Sequence, residues 1–258
     1  MRHLVKLLVA SAALATSLPA QNVLTDPKFQ SIGAAGGGNQ SFYSVGAGGY
    51  VNGWQTSNPA GYLEIWDSGT QSFTGYYAPT GSSYIAEMNA NVQASLYQVV
   101  QLDTAATVSV FFQHRGRDAT DKAGFSIYDL GASGTSWSQQ SLGTLVYQTY
   151  FSTGPSAWKR YSSGSLFTAT AGNRYAFVFD SLESGTGEAS FGNLIADVKF
   201  GYGVGSTASG VIQLTPKAFA TSYNGVVAGP VPEPSAYGAA LGGLALAFAA
   251  IRRKNRKA

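Results

Sequence analysis

The stretch Thr107-Val-Ser-Val-Phe-Phe-Gln-His114 decides the fold class of this chain. Its residues alternate: Val108, Val110 and Phe112 fall on one face, and a more polar set falls on the other. Successive side chains of a β-strand point to opposite faces of a sheet, so this period of two predicts a strand with one face in a core.

Similar short runs recur between clusters of Gly, Ser, Asn and Asp. The further predicted strands are Tyr62 to Trp66, Ser95 to Leu102, Gly124 to Leu130, Leu145 to Tyr150, Arg174 to Asp180 and Asn193 to Phe200. Strands of this length and spacing predict an all-β, antiparallel sandwich. The same alternation places Phe177 in the core and puts Leu194, Ala196, Val198 and Phe200 on one face.

The last 28 residues follow another pattern. The segment Val231-Pro232-Glu233-Pro234-Ser235 precedes an uncharged apolar run, residues 236–251, which would span about 24 Å as a helix. That length is just sufficient for a transmembrane helix whose basic flank snorkels to the interface. The basic cluster consists of Arg252, Arg253, Lys254, Arg256 and Lys257. Lys and Arg beside a membrane segment stay on the inner side, so we expect the C-terminus in the cytoplasm and the preceding residues outside.

This ending resembles the PEP-CTERM sorting signal of Gram-negative bacteria that make extracellular polysaccharide. The resemblance covers residues 231–258 and depends on Pro232, Glu233 and Pro234 standing before the apolar run and the basic tail. It implies that an exosortase, a membrane protease, processes the protein near the motif. The implied destination is the cell surface or the extracellular matrix, after transient anchoring in the inner membrane.

The N-terminus has the layout of a secretory signal peptide. Arg2, His3 and Lys6 precede an apolar stretch from Leu7 to Leu18. We predict a signal peptide over residues 1–20, with cleavage after Ala15 as the alternative, and therefore the Sec translocon and signal peptidase as partners.

Charge and cysteine content limit the remaining function classes. Outside the two ends, nine Lys and Arg residues face twelve Asp and Glu residues, although the whole chain has a formal net charge of +3. The mature part is therefore mildly acidic, which argues against nucleic-acid binding. The chain has no cysteine, so disulfides cannot stabilise this exported domain.

The domain organisation follows from these segments. Residues 21–200 form the predicted ectodomain, with a long Gly-rich loop from Gly33 to Gly49. Residues 201–230 form a predicted Gly/Ser-rich spacer, in which the apolar island Val211 to Leu214 leaves room for one added strand.

The ectodomain also resembles galactose-binding-like jelly rolls of exported cell-wall and matrix proteins. The segments that carry this resemblance are Asn52 to Trp54, Glu64 to Trp66, Gly81 to Met88, Leu96 to Gln98, Phe111 to Arg117 and Gly192 to Val198. It implies a jelly-roll fold, whereas the sugar-contacting loops of that family vary and do not transfer.

Catalytic constellations are scarce. His114 is the one histidine after the signal peptide, and its place on an apolar strand face favours a satisfied core histidine over a general base. Two acid pairs, Glu64 with Asp67 and Glu183 with Glu188, keep glycoside hydrolysis open as an alternative.

The candidate binding residues combine aromatic rings with polar groups. Trp66 and Arg117 are the best predicted glycan-contacting pair, with Glu64 and Arg115 as further hydrogen-bonding partners. The competing interpretation buries Trp54 and Trp66 in the sandwich and pairs Arg117 internally with Asp118 or Asp121. The other tryptophans are Trp137 and Trp158.

No cofactor is expected from these residues. A Ca²⁺ site built from Asp26, Asp197 and backbone carbonyls remains open, although no motif supports it. The leading function is a non-enzymatic, exopolysaccharide-associated surface protein. The alternatives are a secreted polysaccharide hydrolase or lyase and a structural adhesion module without a ligand.

Processing gives the first testable prediction. In a host with an exosortase, we expect the mature protein to lose the residues beyond about Pro234 and to leave the inner membrane. Mass spectrometry of surface material measures the C-terminus directly. A surface form that retains the tail through Ala258 would contradict the prediction, whereas a host without the enzyme should retain the intact chain in its inner membrane.

Overall fold

The computed structural model describes residues 19–31, 40–44, 52–67, 77–134 and 143–217. The predicted signal peptide up to residue 18, the sorting segment 231–258 and Trp137 lie outside the described residues. In the described part of the chain, no helix is long and apolar enough to cross a membrane.

The described residues form two packed β-sheets, which confirms the predicted all-β sandwich. The strands are β1 (Gln21–Asn22), β2 (Gln40–Ser44), β3 (Gln55–Thr56), β4 (Tyr62–Asp67), β5 (Tyr84–Glu87), β6 (Ser95–Gln101), β7 (Val108–Arg115), β8 (Asp121–Gly131), β9 (Thr144–Thr153), β10 (Lys159–Ser163), β11 (Arg174–Glu183), β12 (Leu194–Tyr202) and β13 (Val211–Gln213).

The larger sheet has the order β13-β10-β7-β12-β5-β4-β2, with β1 also pairing with β12. The smaller sheet has the order β3-β6-β11-β8-β9. Pairing is antiparallel in both sheets except between β10 and β13, which run parallel.

Aromatic side chains from both sheets fill the space between them. The ring of Phe112 on β7 lies 4.9 Å from that of Phe179 on β11 and 4.9 Å from that of Phe151 on β9. Phe177 joins the same core and contacts both Phe125 and Phe200, with ring centroids 4.9 and 5.0 Å away. These rings are buried, so the period-two pattern correctly identified the core faces of β7 and β11.

The predicted core-facing side of β12 is wrong for the residues before the bulge described below. Ile195, and not Leu194, lies in the main core together with Val198 and Phe200. The cause is a bulge between Ala196 and Lys199, where Asp197 has a φ of 46° and the ladder to β7 is interrupted. A bulge inserts an extra residue into one strand, so every residue before it changes face relative to those after it.

The sandwich continues past residue 200, where the sequence placed the ectodomain boundary. β12 extends to Tyr202, and β13 falls within the predicted spacer at the apolar island. Residues 211–213 pair with β10, whose sequence Lys-Arg-Tyr-Ser-Ser gave no strand signal because only Tyr161 faces the main core.

The core assignment of Phe177 can be tested directly. Phe177→Ala should lower the free energy of unfolding by about 3–5 kcal/mol, because truncation leaves a cavity among packed rings. Urea unfolding measures the change, with Leu145→Ala at a 47 % exposed position as the matched control. Equal costs for the two variants would mean that Phe177 does not belong to the core.

Candidate functional site

The loop after β7 is held by one buried carboxylate, that of Asp121. Asp121 Oδ2 accepts hydrogen bonds from the backbone N–H groups of Arg117, at 2.8 Å, and Asn193, at 2.9 Å. Its Oδ1 accepts a third from the N–H of Gly185 at 2.8 Å. Three chain segments therefore meet at one side chain, and the loop carrying Arg117 has a fixed start.

The guanidinium of Arg117 lies between two aromatic rings. Its central carbon is 4.7 Å from the ring centroid of Trp66 and 4.0 Å from that of Phe191. Arg117 Nη1 also donates to both carboxylate oxygens of Glu87, each at 3.2 Å. The structure thus brings the predicted pair Trp66 and Arg117 together, with the carboxyl group of Glu87 as the hydrogen-bonding partner of the guanidinium.

Trp66 and Arg117 lie mostly beneath the surface. Trp66 is 2 % exposed, and the Arg117 side chain is 14 % exposed. In this structure the indole supports the guanidinium and does not face solvent. Asp118 is a distant partner, with Oδ2 3.9 Å from Arg117 Nε, and Asp121 contacts the Arg117 backbone only.

Two buried carboxylates stand side by side under this cluster. Glu64 on β4 and Glu87 on β5 are directly opposite in the antiparallel register. Trp66 Nε1 donates to Glu64 Oε1 at 2.8 Å, and the N–H of Gly192 donates to Glu87 Oε1 at 2.9 Å. Burial, followed by the charge of Glu64, raises the pKa of Glu87 from 4.5 to about 8, although Arg117 acts in the opposite direction.

An exposed aromatic surface lies beside the buried cluster. Trp158 packs against the group formed by Trp66, Ile85 and Leu194, and its Nε1 donates to the carbonyl of Tyr77 at 2.7 Å. Tyr77 is 63 % exposed, and Trp158 is half-buried.

Arg115 completes the surrounding geometry. In the antiparallel register of β7 and β10, Lys159 lies opposite His114. Trp158, one residue before Lys159, therefore lies opposite Arg115, one residue after His114. Arg115 Nε donates to the carbonyl of Pro155 at 2.7 Å. We call Tyr77, Trp158, Arg115 and Arg117 the aromatic rim.

His114 is a fully buried structural residue. Its ring nitrogens contact Thr153 Oγ1 at 2.8 Å and Asn193 Oδ1 at 3.0 Å. The amide oxygen can only accept, so Nε2 carries the proton. Burial lowers the pKa of His114 from 6.5 to about 4, and the ring therefore stays neutral at physiological pH.

The remaining predicted residues lie apart from this cluster. Trp54 is fully buried, and its Nε1 donates to the carbonyl of Asp26 at 3.0 Å. The carboxylate of Asp26 accepts from the N–H of Ser31, and that of Asp197 lies 3.5 Å from Lys199 Nζ. Among the described residues, no group of three or more acidic or histidine side chains is placed to hold a metal ion.

Sequence reasoning missed Glu87, Phe191 and the role of Trp158. Glu87 carried a usable signal, because an acid ends the apolar strand Tyr84–Glu87 at a position that alternation assigns to the outer face. Phe191 lies in a Gly- and Ser-rich loop, where nothing in the local pattern points to Arg117.

Comparison with known protein families concerns the C-terminal segment. Residues 230–254 match the family model of the PEP-CTERM protein-sorting motif. The chain carries a PEP-CTERM sorting motif. The match includes the Pro-Glu-Pro core of this motif and the first three basic residues, Arg252, Arg253 and Lys254, and it confirms the resemblance found in the sequence.

The PEP-CTERM motif implies export and processing by an exosortase at the C-terminal end. The motif covers a small part of the chain and leaves the activity of the ectodomain open. No curated protein matches this sequence.

The sandwich is similar to several solved carbohydrate-binding modules. One is TmCBM61 in complex with β-1,4-galactotriose, at 13 % identity and a TM-score of 0.33, with coverage of 70 % of this chain and 98 % of that one. A family 22 module of Clostridium thermocellum has 10 % identity, a TM-score of 0.39 and coverage of 65 % and 95 %. A family 35 module of the same organism has 12 % identity, a TM-score of 0.36 and coverage of 65 % and 100 %.

The raised pKa of Glu87 predicts a pH-dependent stability. The folded-state pKa of Glu87, about 8, exceeds the ordinary value of 4.5, so the folded state holds this proton more tightly than the unfolded state does. The resulting contribution to the free energy of unfolding is fully present below about pH 4.5 and is lost progressively as the pH rises to 8. Glu87→Gln cannot ionise, so we expect wild type to lose stability relative to this variant between pH 5 and pH 8.

Urea unfolding of both proteins across this range measures the difference. His114 is present in both proteins, so its titration cancels. Glu188→Gln, at an exposed loop position, is the control and should show no such trend. Parallel pH profiles for wild type and Glu87→Gln would show that Glu87 is ionised throughout.

Proposed function

We propose that this protein is an exosortase-processed surface protein whose β-sandwich contacts exopolysaccharide without catalysing a reaction. The observation that carries the glycan contact is the aromatic rim, where Trp158 is partly exposed and donates to the carbonyl of the exposed Tyr77. Arg115 lies opposite Trp158 in the strand register, and Arg117 lies over Trp66, on which Trp158 packs. The PEP-CTERM motif supports the surface location.

The rim has the chemistry that sugar recognition requires. An aromatic face packs against the apolar C–H surface of a pyranose, and guanidinium groups donate hydrogen bonds to its hydroxyls. Trp158 rests on the cluster of Trp66, Ile85 and Leu194, so its ring is held in place before a ligand arrives. A preorganised ring loses less conformational freedom on binding, which favours even a small contact.

Trp66 and Arg117 have a supporting part in this proposal. Arg117 is anchored by Glu87 and by the two flanking rings, so it presents a fixed edge to the rim. Contact between a sugar and Trp66 itself requires the rim to open, because the indole is covered in this structure.

The burial of the ionisable groups supports a non-catalytic role. The acid pair Glu64 and Glu87 has the proximity that glycoside hydrolysis uses, but both side chains are at most 3 % exposed. His114 is fully enclosed and neutral. Side chains buried this deeply do not face a polysaccharide substrate, which disfavours the hydrolase alternative.

If the aromatic rim binds glycan, substitutions of its exposed and buried tryptophans should affect glycan binding and protein stability differently. Trp158→Ala should remove binding to a neutral polysaccharide isolated from the producing layer, with only a small change in melting temperature, since the ring is only partly buried. Trp66→Ala should instead lower stability by about 3–5 kcal/mol, because it empties a buried site. Affinity electrophoresis and thermal melting of the full-length chain in detergent measure the two effects.

Leu145→Ala is the control for an exposed apolar position away from the rim. Unchanged glycan binding by Trp158→Ala would refute the rim. If wild type binds no polysaccharide on a broad glycan array, the structural adhesion module is the better description.

A further inference from the structure

Strand β9 is the one long sheet edge among the described strands. It stands at the end of the smaller sheet and has ten residues, whereas the strands at the other three sheet ends, β2, β3 and β13, have five, two and three. The sequence of β9, Thr-Leu-Val-Tyr-Gln-Thr-Tyr-Phe-Ser-Thr, contains no proline and no charged residue. A long, uncharged edge pairs readily with another extended segment, and folded proteins usually cover such an edge.

The last described residues, 215–217, contact this edge. Thr149 Oγ1 donates to the carbonyl of Thr215 at 2.8 Å, and the N–H of Lys217 donates to the carbonyl of Gln148 at 2.9 Å. As the residue number rises from 215 to 217, the partner on β9 falls from 149 to 148. The segment therefore runs antiparallel to β9 and points toward the first residues of that strand.

The side chain of Lys217 shows which face of the sheet the segment follows. Its Nζ lies 4.9 Å from the ring centroid of Tyr150. The next residue of β9, Phe151, packs in the core, so Tyr150 faces away from the core. Alternate residues of an extended chain share a face, which would bring Phe219 to the same outer face as Lys217. Near the start of β9, Leu145 is 47 % exposed and offers an apolar contact for this ring.

The continuation of the chain is better placed to cover β9 than a second copy is. Residues 215–217 occupy the edge at 148–149 and leave residues 144–147 without a strand partner on this side among the described residues. A second copy could pair only with this short part of the edge. The next residues, Ala218-Phe219-Ala220-Thr221, are uncharged and already tethered beside it, and tethering gives them a high effective concentration.

We propose that residues 218–221 form an added strand, antiparallel to β9, which covers the free part of its edge. The backbone N–H of Phe219 donates to β9, as that of Lys217 does, and its ring packs over Leu145. Residues 222–230 then lead to the sorting motif, and they span at most about 30 Å when fully extended. The added strand thus fixes the place at which the chain leaves the sandwich.

This exit lies at the end of the sandwich opposite the aromatic rim. Thr153, the last residue of β9, pairs with Asp121, whose carboxylate accepts from the N–H of Arg117. Thr144 stands at the other end of β9, about 30 Å away at about 3.3 Å per residue. A tether at that end points the rim away from the point of attachment. This consequence for glycan contact rests on the proposed function, whereas the added strand does not.

Engineered cysteine pairs test the position of the segment, because the chain has no cysteine of its own. Leu145→Cys is combined with Phe219→Cys or with Ala220→Cys, since the register shift between Tyr147 and Leu145 leaves one or the other opposite residue 145. Bonded cysteines need Cα atoms within about 7 Å of each other. In the full-length chain in nonionic detergent, we expect one of these pairs to form an intramolecular disulfide about ten times faster than Ser152→Cys/Ala220→Cys, the control at the other end of β9.

Proline substitutions test the hydrogen bonds of the added strand with a matched control. The N–H groups of alternate residues point to the same side of a strand, so Phe219→Pro removes a donor to β9, whereas Ala220→Pro does not. In Phe219→Pro, we expect the edge-facing amides of residues 144–148 to exchange with deuterium about ten times faster than in wild type. In Ala220→Pro, the wild-type rate should remain. Neither measurement involves a glycan, so failure of the rim in Trp158→Ala is distinguishable from failure of the added strand.

Three results would overturn the proposal. One is coupling of Ser152→Cys/Ala220→Cys that is as fast as, or faster than, coupling of the pairs with Leu145→Cys. Another is a disulfide that forms between two chains and is lost on dilution, which would assign the edge to a second copy. The third is the same amide exchange across residues 144–148 in wild type, Phe219→Pro and Ala220→Pro.

Discussion

The carboxylate of Asp121 is the interaction on which one whole end of the sandwich depends. It accepts three backbone N–H groups from segments that are far apart in sequence, at Arg117, Gly185 and Asn193. A buried N–H without an acceptor costs about 1–3 kcal/mol, so losing this carboxylate would penalise three segments at once. The close approach of Asp121 also requires glycine at position 192, because a Cβ there would lie only 2.9 Å from Asp121 Oδ2. The φ of Gly192 is 135°, a backbone conformation that residues with a side chain rarely adopt.

A chain of hydrogen bonds leads from Asn193 into the space between the two sheets. Asn193 accepts from His114, while its Nδ2 donates to Ser181 Oγ and to the carbonyl of Glu183. His114 in turn contacts Thr153, whose hydroxyl lies 2.8 Å from that of Tyr161. The chain of polar groups joins both sheets, and satisfied buried networks of this kind favour one packing arrangement over others. The aromatic rim rests on this end and gains its fixed geometry from it.

The sequence predicted those features that depend on local periodicity. Alternating runs identified the strands and the inward faces of β7 and β11, because a residue's face in a regular strand depends only on its neighbours in the chain. The pairing of Trp66 with Arg117 was predictable because both stand at strand ends. The bulge at Asp197 was not, since a single residue with positive φ leaves no trace in the hydrophobic pattern.

Contacts that depend on strand register could not be predicted from the sequence, because the local hydrophobic pattern does not record which strands pair. Glu87 became the partner of Arg117 because β5 pairs with β4 and β12, and that order is set by the whole sheet. The parallel pairing of β13 with β10 is also set by the whole sheet, since it joins residues about fifty positions apart.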